Sequence, residues 1–216
     1  MENEKIVNPN LLTESLIFPS KVYSIEKPDF LDTVRAVSSK YLEQSRQLQK
    51  GEYMTLMSGN YSHEPEIAPF AQYVSQTAWN ILQAQGYSMD QLVTFFSEMW
   101  TQEHKSFSSI DYHVHGLGSM ISVFYFLDVP HNGCQLVLHD PRPTKWMIDI
   151  ATRDPSQITD ASERVFVPSK AGTLVFTNSW MPHSFTKNFN SEPTRFVHMN
   201  LSVTMSPVKP TTVEII

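Results

Sequence analysis

Residues 119–139 read SMISVFYFLDVPHNGCQLVLH. Ser119–Asp128 is a strongly apolar run dense in aromatic and β-branched residues, which predicts a β-strand. Val-Pro-His-Asn-Gly then signals a turn, and Cys134–His139 starts a second strand that Asp140-Pro141 closes. Further along, Lys145–Ile150 suits another short strand, 153–163 a polar loop, and Thr173–Thr177 (TLVFT) a strand after the turn at Ser169–Gly172. Thr194–Val203 (TRFVHMNLSV) is the last strong strand. Upstream, Leu92–Glu103 suits an extended, aromatic-rich segment. Before it the period changes. One helix runs from about Ile67 to Gln85, with Phe70, Val74, Ala78, Ile81 and Leu82 on one face. An earlier helix opens at Asp29, a candidate N-cap, carries Leu31, Val34, Val37, Tyr41 and Leu42 at three- and four-residue steps, and ends near Lys50-Gly51.

Many short strands with turns every eight to twelve residues point to a sandwich or barrel. The expected fold is mainly β with N-terminal helices: a jelly-roll core flanked by two helices. Nothing separates two units, so 1–216 is expected to form a single domain. In it, 1–90 is mostly helical support, 91–204 the core and 205–216 a tail.

The composition removes several function classes. Seven glycines and the absence of GxGxxG or GxxxxGK[ST] argue against a phosphate-binding loop. Net charge is −6, and no Lys/Arg cluster occurs. A direct nucleic-acid grip is therefore not expected, a flipped or single-stranded target aside. The single cysteine, Cys134, excludes an intrachain disulfide and Cys-rich zinc sites. The first residues do not read as a signal peptide, and no apolar run approaches a membrane span. A soluble, cytoplasmic protein follows from this. Oligomeric state stays open, a homodimer among the options.

Eight histidines are present, and three stand out by position. His113-Val114-His115 precedes the long apolar strand, and His183 follows TLVFT. In a strand, residues i and i+2 share a face, so two imidazoles can aim at one point. A third from a neighbouring antiparallel strand would complete a facial set on a divalent metal, and Fe(II) so held keeps open positions. His63, His104, His131 and His198 read as structural or incidental, and His139 stays undecided.

Taken in order, Trp100, HVH at 113–115, SVFYF at 122–126, Asp140-Pro141-Arg142, His183 and Arg195 resemble the iron(II)/2-oxoglutarate-dependent oxygenase superfamily, with its double-stranded β-helix core. More narrowly, they are similar to a bacterial and phage group of such oxygenases with an HxH motif. The resemblance covers about residues 90–204. It implies Fe(II) as cofactor, 2-oxoglutarate as cosubstrate and hydroxylation of an unnamed substrate. His113 and His183 would be metal ligands. Arg195 would fork onto the remote carboxylate of 2-oxoglutarate, and Tyr125 would donate its hydroxyl to the same molecule. Val197, Met199 and Leu201 would then share the pocket wall with Arg195, while His198 and Asn200 face away.

The superfamily normally carries His-x-Asp or His-x-Glu, and here the second position is His115. His115 can ligate, Asp111 or Asp140 can supply a carboxylate, or water can fill the place. The returning strand is shorter than the outgoing one and falls short of bringing Asp140 to the metal unless it bends or bulges, so His115 is preferred, with Asp140 and Arg142 shaping the substrate mouth. A three-nitrogen set also suits zinc, copper or nickel. The rival is a cupin-like metal-binding jelly roll without oxygenase activity.

Overall fold

A computed structural model describes residues 13, 15–116 and 118–206, so most of the expected tail and the first twelve residues lie outside the described part. Ten strands form two antiparallel sheets. In the larger sheet, β1 (Val22–Glu26), β8 (Thr173–Asn178), β5 (Ile121–Asp128), β10 (Thr194–Met205), β3 (Leu92–His104) and β2 (Thr55–Met57) lie side by side in that order. The smaller sheet is β4 (Ile110–His113), β9 (His183–Phe185), β6 (Leu136–His139) and β7 (Arg164–Phe166). Two helices, α1 (Leu31–Leu48) and α2 (Ala68–Ala84), complete the set.

The larger sheet is covered on both faces. Side chains alternate along a strand, so one parity faces the helices and the other faces the smaller sheet. Val123, Tyr125 and Leu127 of β5, with Val197, Met199 and Leu201 of β10, join Val34, Val37, Phe70, Val74 and Ile81 from the helices in one core. Phe124, Phe126, Val175 and Phe196 join Leu136, Leu138 and Phe185 of the smaller sheet in a second. This double burial explains why residues 121–127 are apolar at every position but Ser122, not at alternate ones.

Both helices form where their apolar spacing predicts. The entry to α1 differs in detail: Pro28–Phe30 makes a 3-10 turn, and no side chain caps the helix, Asp29 included. Gly86, at φ +96°, reverses the chain after α2 as a left-handed C-terminal residue should. A buried hydroxyl chain ties α1 to β3, with Tyr61 Oη 2.6 Å from Thr101 Oγ1 and 3.1 Å from Ser38 Oγ.

One expectation changes. Lys145–Ile150 is not a strand: Lys145–Met147 is a 3-10 turn, held by Met147 N–H to Thr144 and by the Lys145 ammonium on Asp140. In the N-terminal part, β1 and β2 extend the larger sheet at its two edges.

The turn between β5 and β6 is tight. A Cβ on Gly133 would lie 2.5 Å from Thr194 Oγ1 and 2.9 Å from the Pro130 carbonyl oxygen. Gly133→Ala should cost about 1–3 kcal/mol, as overpacking does. Chemical denaturation measures this, and an unchanged midpoint would contradict the packing described.

Candidate metal centre

His113 and His183 stand opposite each other in register, at adjoining ends of β4 and β9. Their ring centroids are 4.3 Å apart. Each Nδ1–H donates to a backbone carbonyl two residues earlier: His113 to Asp111 at 2.8 Å, His183 to Met181 at 3.1 Å. That leaves each Nε2 as the lone-pair nitrogen, the form a metal needs.

His115 arrives by a different route from the one expected. β4 ends at His113, so the i, i+2 rule of a strand does not apply. His115 lies in the following coil, where its N–H donates to the Ser179 carbonyl at 3.0 Å. One nitrogen from each of His113, His115 and His183 lies within 4.8 Å of the others, so the three could hold a metal ion. Asp111 and Asp140 do not join this set. Asp111 is exposed and contributes its backbone carbonyl to His113. Asp140 is held by Arg142 at 2.7 Å and Lys145 at 2.9 Å. The Arg142 hydrogen bonds and the Lys145 ammonium keep its carboxyl well below the usual range, against the opposing effect of burial.

Burial keeps the His115 and His183 rings neutral, and neutral imidazole is the ligating form. Desolvation pulls His183 down to about 3 and His115 to about 4, with the neighbouring histidines adding to it. The Nε2 atoms of His115 and His183 are buried with no hydrogen-bond partner. Orphaned buried nitrogens of this kind fit an absent cation. Asn200 Nδ2 lies 3.2 Å from His115 Nδ1 and can only donate there. Ligation by His115 Nε2 then calls for the Asn200 amide to turn over, so that Oδ1 receives Nδ1–H. The Ser122 hydroxyl at 3.0 Å can both donate and accept, so it permits the turn, whereas the Glu98 carboxylate, 3.5 Å from Nδ2, would lose its donor.

Arg195 and Tyr125 are not brought to the histidines. Arg195 shares the parity of Val197 and faces the helices. Its Nε lies 2.6 Å from Glu103 and its Nη1 3.1 Å from Asp128. From α1, Arg46 reaches the same Glu103 at 2.7 Å and Arg35 the same Asp128 at 3.0 Å. Tyr125 also faces the helices, donating to the Lys27 carbonyl at 2.7 Å beside Phe70. The pocket wall on β10 is thus the reverse of that expected: His198 and Asn200 face the histidines, and Val197, Met199 and Leu201 do not. His198, expected to be structural or incidental, is 2% exposed and stacks on Trp100 with centroids 4.5 Å apart.

Two packed antiparallel sheets, helices on the outer face of the larger one and three histidines that could hold a metal ion give a double-stranded β-helix with a candidate metal centre. Residues 98–198 match the family described as "Putative 2OG-Fe(II) oxygenase". That description names 2-oxoglutarate and Fe(II), and the matched segment contains His113, His115 and His183. No curated protein matches its sequence. Among solved structures, a Pseudomonas putida prolyl-4-hydroxylase is similar at TM-score 0.57 and 14% identity, covering 84% of this chain and 92% of that one. The non-heme α-ketoglutarate-dependent carbocyclase SnoK from nogalamycin biosynthesis reaches TM-score 0.60 at 16% identity, covering 88% and 84%. A viral collagen prolyl hydroxylase from Paramecium Bursaria Chlorella virus-1, in its 2OG complex, reaches 0.54 at 11%, covering 84% and 94%. At these identities the likeness is one of fold. Among the described residues, no helix is long and apolar enough to cross a membrane.

Glu103 makes a pH prediction. Burial would raise its carboxyl pKa, but the Arg195 hydrogen bond and the Arg195 and Arg46 charges outweigh that and lower it. A carboxyl depressed by folding stabilises above its unfolded value, near 4.3, and loses that stabilisation as pH falls through the folded value. Glu103→Gln should therefore cost about 1–3 kcal/mol at pH 7, and the deficit should shrink as pH falls below about 4. Denaturation curves from pH 7 to pH 3 test this; a deficit constant across that range would contradict it.

Proposed function

We propose that this chain is an oxygenase that hydroxylates a C–H bond of an unidentified substrate, with His113, His115 and His183 as the iron ligands. The observation that carries the assignment is the free Nε2 on His113 and His183, each fixed by an Nδ1–H bond to the main chain. When bound, Fe(II) with 2-oxoglutarate and O2 supplies the oxidising chemistry, succinate and carbon dioxide being the co-products.

The chain's own residues supply positioning and exclusion of water. The Asp111 and Met181 carbonyls hold two imidazoles in ligating orientation. Phe124 packs edge-on against His183, with centroids 5.2 Å apart, and lines the site with apolar surface. Asn200 sets the rotamer and proton position of His115. On the outer side, the Asp140–Arg142–Lys145 cluster and the exposed Asp111 are where a substrate would enter. Arg142 is 59% exposed on its side chain and is the cation there best placed to meet one. The single free cysteine, Cys134, is buried, which suits a bacterial or phage-encoded enzyme working in a reducing cytoplasm.

Anaerobic addition of Fe(II) and then 2-oxoglutarate to the purified protein should give a weak visible charge-transfer band. His183→Ala should abolish the band. It should also weaken Mn(II) binding by more than the roughly 10–100-fold that losing a ligand's supporting partner costs. A folded native protein giving no band, or a His183→Ala variant with full metal occupancy, would reject the assignment.

A further inference from the structure

Five buried side-chain nitrogens among the described residues lack a hydrogen-bond partner: Arg35 Nε, Trp100 Nε1, His115 Nε2, His183 Nε2 and His198 Nε2. Arg35 lies on the helix side, where its Nη2 is engaged by Leu127 and Asp128. The other four belong to one cluster of rings. Trp100 stacks on His198 at 4.5 Å, His198 meets His115 edge-on at 4.4 Å, and His115 stacks on His183 at 5.2 Å. Leaving one buried donor or acceptor unpaired costs about 1–3 kcal/mol, so four such nitrogens in one cluster call for partners.

A metal accounts for His115 and His183. It does not account for the other two. Trp100 Nε1–H can only donate, so it waits for an acceptor oxygen, not a cation. His198 occupies the position directly across from it, β10 to β3, on the same inner face. Its ring centroid is 6.0 Å from that of His183. The polar neighbours nearby are already engaged: Ser122 with Ser179 and Asn200, and Asn200 with His115. Arg195, the obvious guanidinium, is on the far face of the sheet, committed to Glu103 and Asp128.

We propose that Trp100 and His198 are the cosubstrate-binding pair: Trp100 Nε1–H and His198 Nε2–H donate to the remote carboxylate of 2-oxoglutarate, in place of a cationic side chain. This rests on the assignment of the three histidines as the iron site. A ring–ring pair positions the carboxylate by two directed donors between flat apolar faces, with Phe124 packed against His198 at 4.6 Å. Selectivity for a diacid then comes from satisfying two otherwise orphaned donors, not from a fixed charge.

The test is calorimetry on Mn(II)-loaded protein with 2-oxoglutarate and with 2-oxopentanoate, which lacks the remote carboxylate. Trp100→Phe and His198→Phe should each weaken 2-oxoglutarate binding about tenfold, leaving Mn(II) and 2-oxopentanoate affinities within about threefold. His198→Gln, which keeps an N–H donor, should retain most of the 2-oxoglutarate affinity. Arg195→Met should leave that affinity unchanged. If His198→Phe does not fold, Trp100→Phe and His198→Gln decide. Unchanged 2-oxoglutarate affinity in Trp100→Phe, or its loss in Arg195→Met, with Mn(II) still bound, overturns the pair but not the iron site. Native protein that binds Mn(II) and no 2-oxoglutarate overturns both.

Discussion

The larger sheet is buried from both sides, and everything else depends on that. Its central strands, β3, β5 and β10, carry helices on one face and the smaller sheet on the other. Each residue along them is committed by parity to one of two interiors. Odd positions on β10 serve the helical core, and even positions from 194 to 200 line the space that contains the histidines. A slip of one residue would exchange the two sets entirely. The bulge between Asn200 and Leu201 against β3, and the break between Arg195 and Phe196 against β5, adjust this register without reversing it.

That double burial also decides what could be read in advance. SVFYFL and TLVFT announce strands because their composition is extreme, and the helices announce themselves by spacing. β4, β7 and β9 have three or four residues each, too few for a period to appear. His113 and His183 were legible through their order along the chain. Arg195 misled because its distance from His183 in sequence says nothing about its face, and on a strand apolar on both sides no polar alternation marks the inner one. The signal that could have corrected it lay in the acids, since Glu103 and Asp128 stand across from Arg195 on its two neighbouring strands. His198 was hidden for the same reason, one more residue in an unbroken run.

The charges on the helix side have a separate task. Arg35 and Arg46 extend from α1 to Asp128 and Glu103, and Arg195 joins those two acids across the strand between them. Glu103 is nearly inaccessible, its side chain only 3% exposed. Glu103 and Asp128 each have two arginine partners, with Arg195 shared between them, so the five charges form one linked chain. It locks α1 onto the sheet directly behind the inner cluster of rings, and so backs the wall to which Trp100 and His198 are attached.

His113 and His183 belong to separate strands seventy residues apart in the chain. A cation shared between them would therefore act as a clasp. In the unfolded polymer, joining two points so far apart removes many conformations, and the penalty of forming that ring rises only slowly with its length. The smaller sheet, made of strands of three and four residues, has the least to hold it otherwise. Loading with metal would raise its resistance to opening more than that of the larger sheet, and amide exchange in β4 and β9 would slow first.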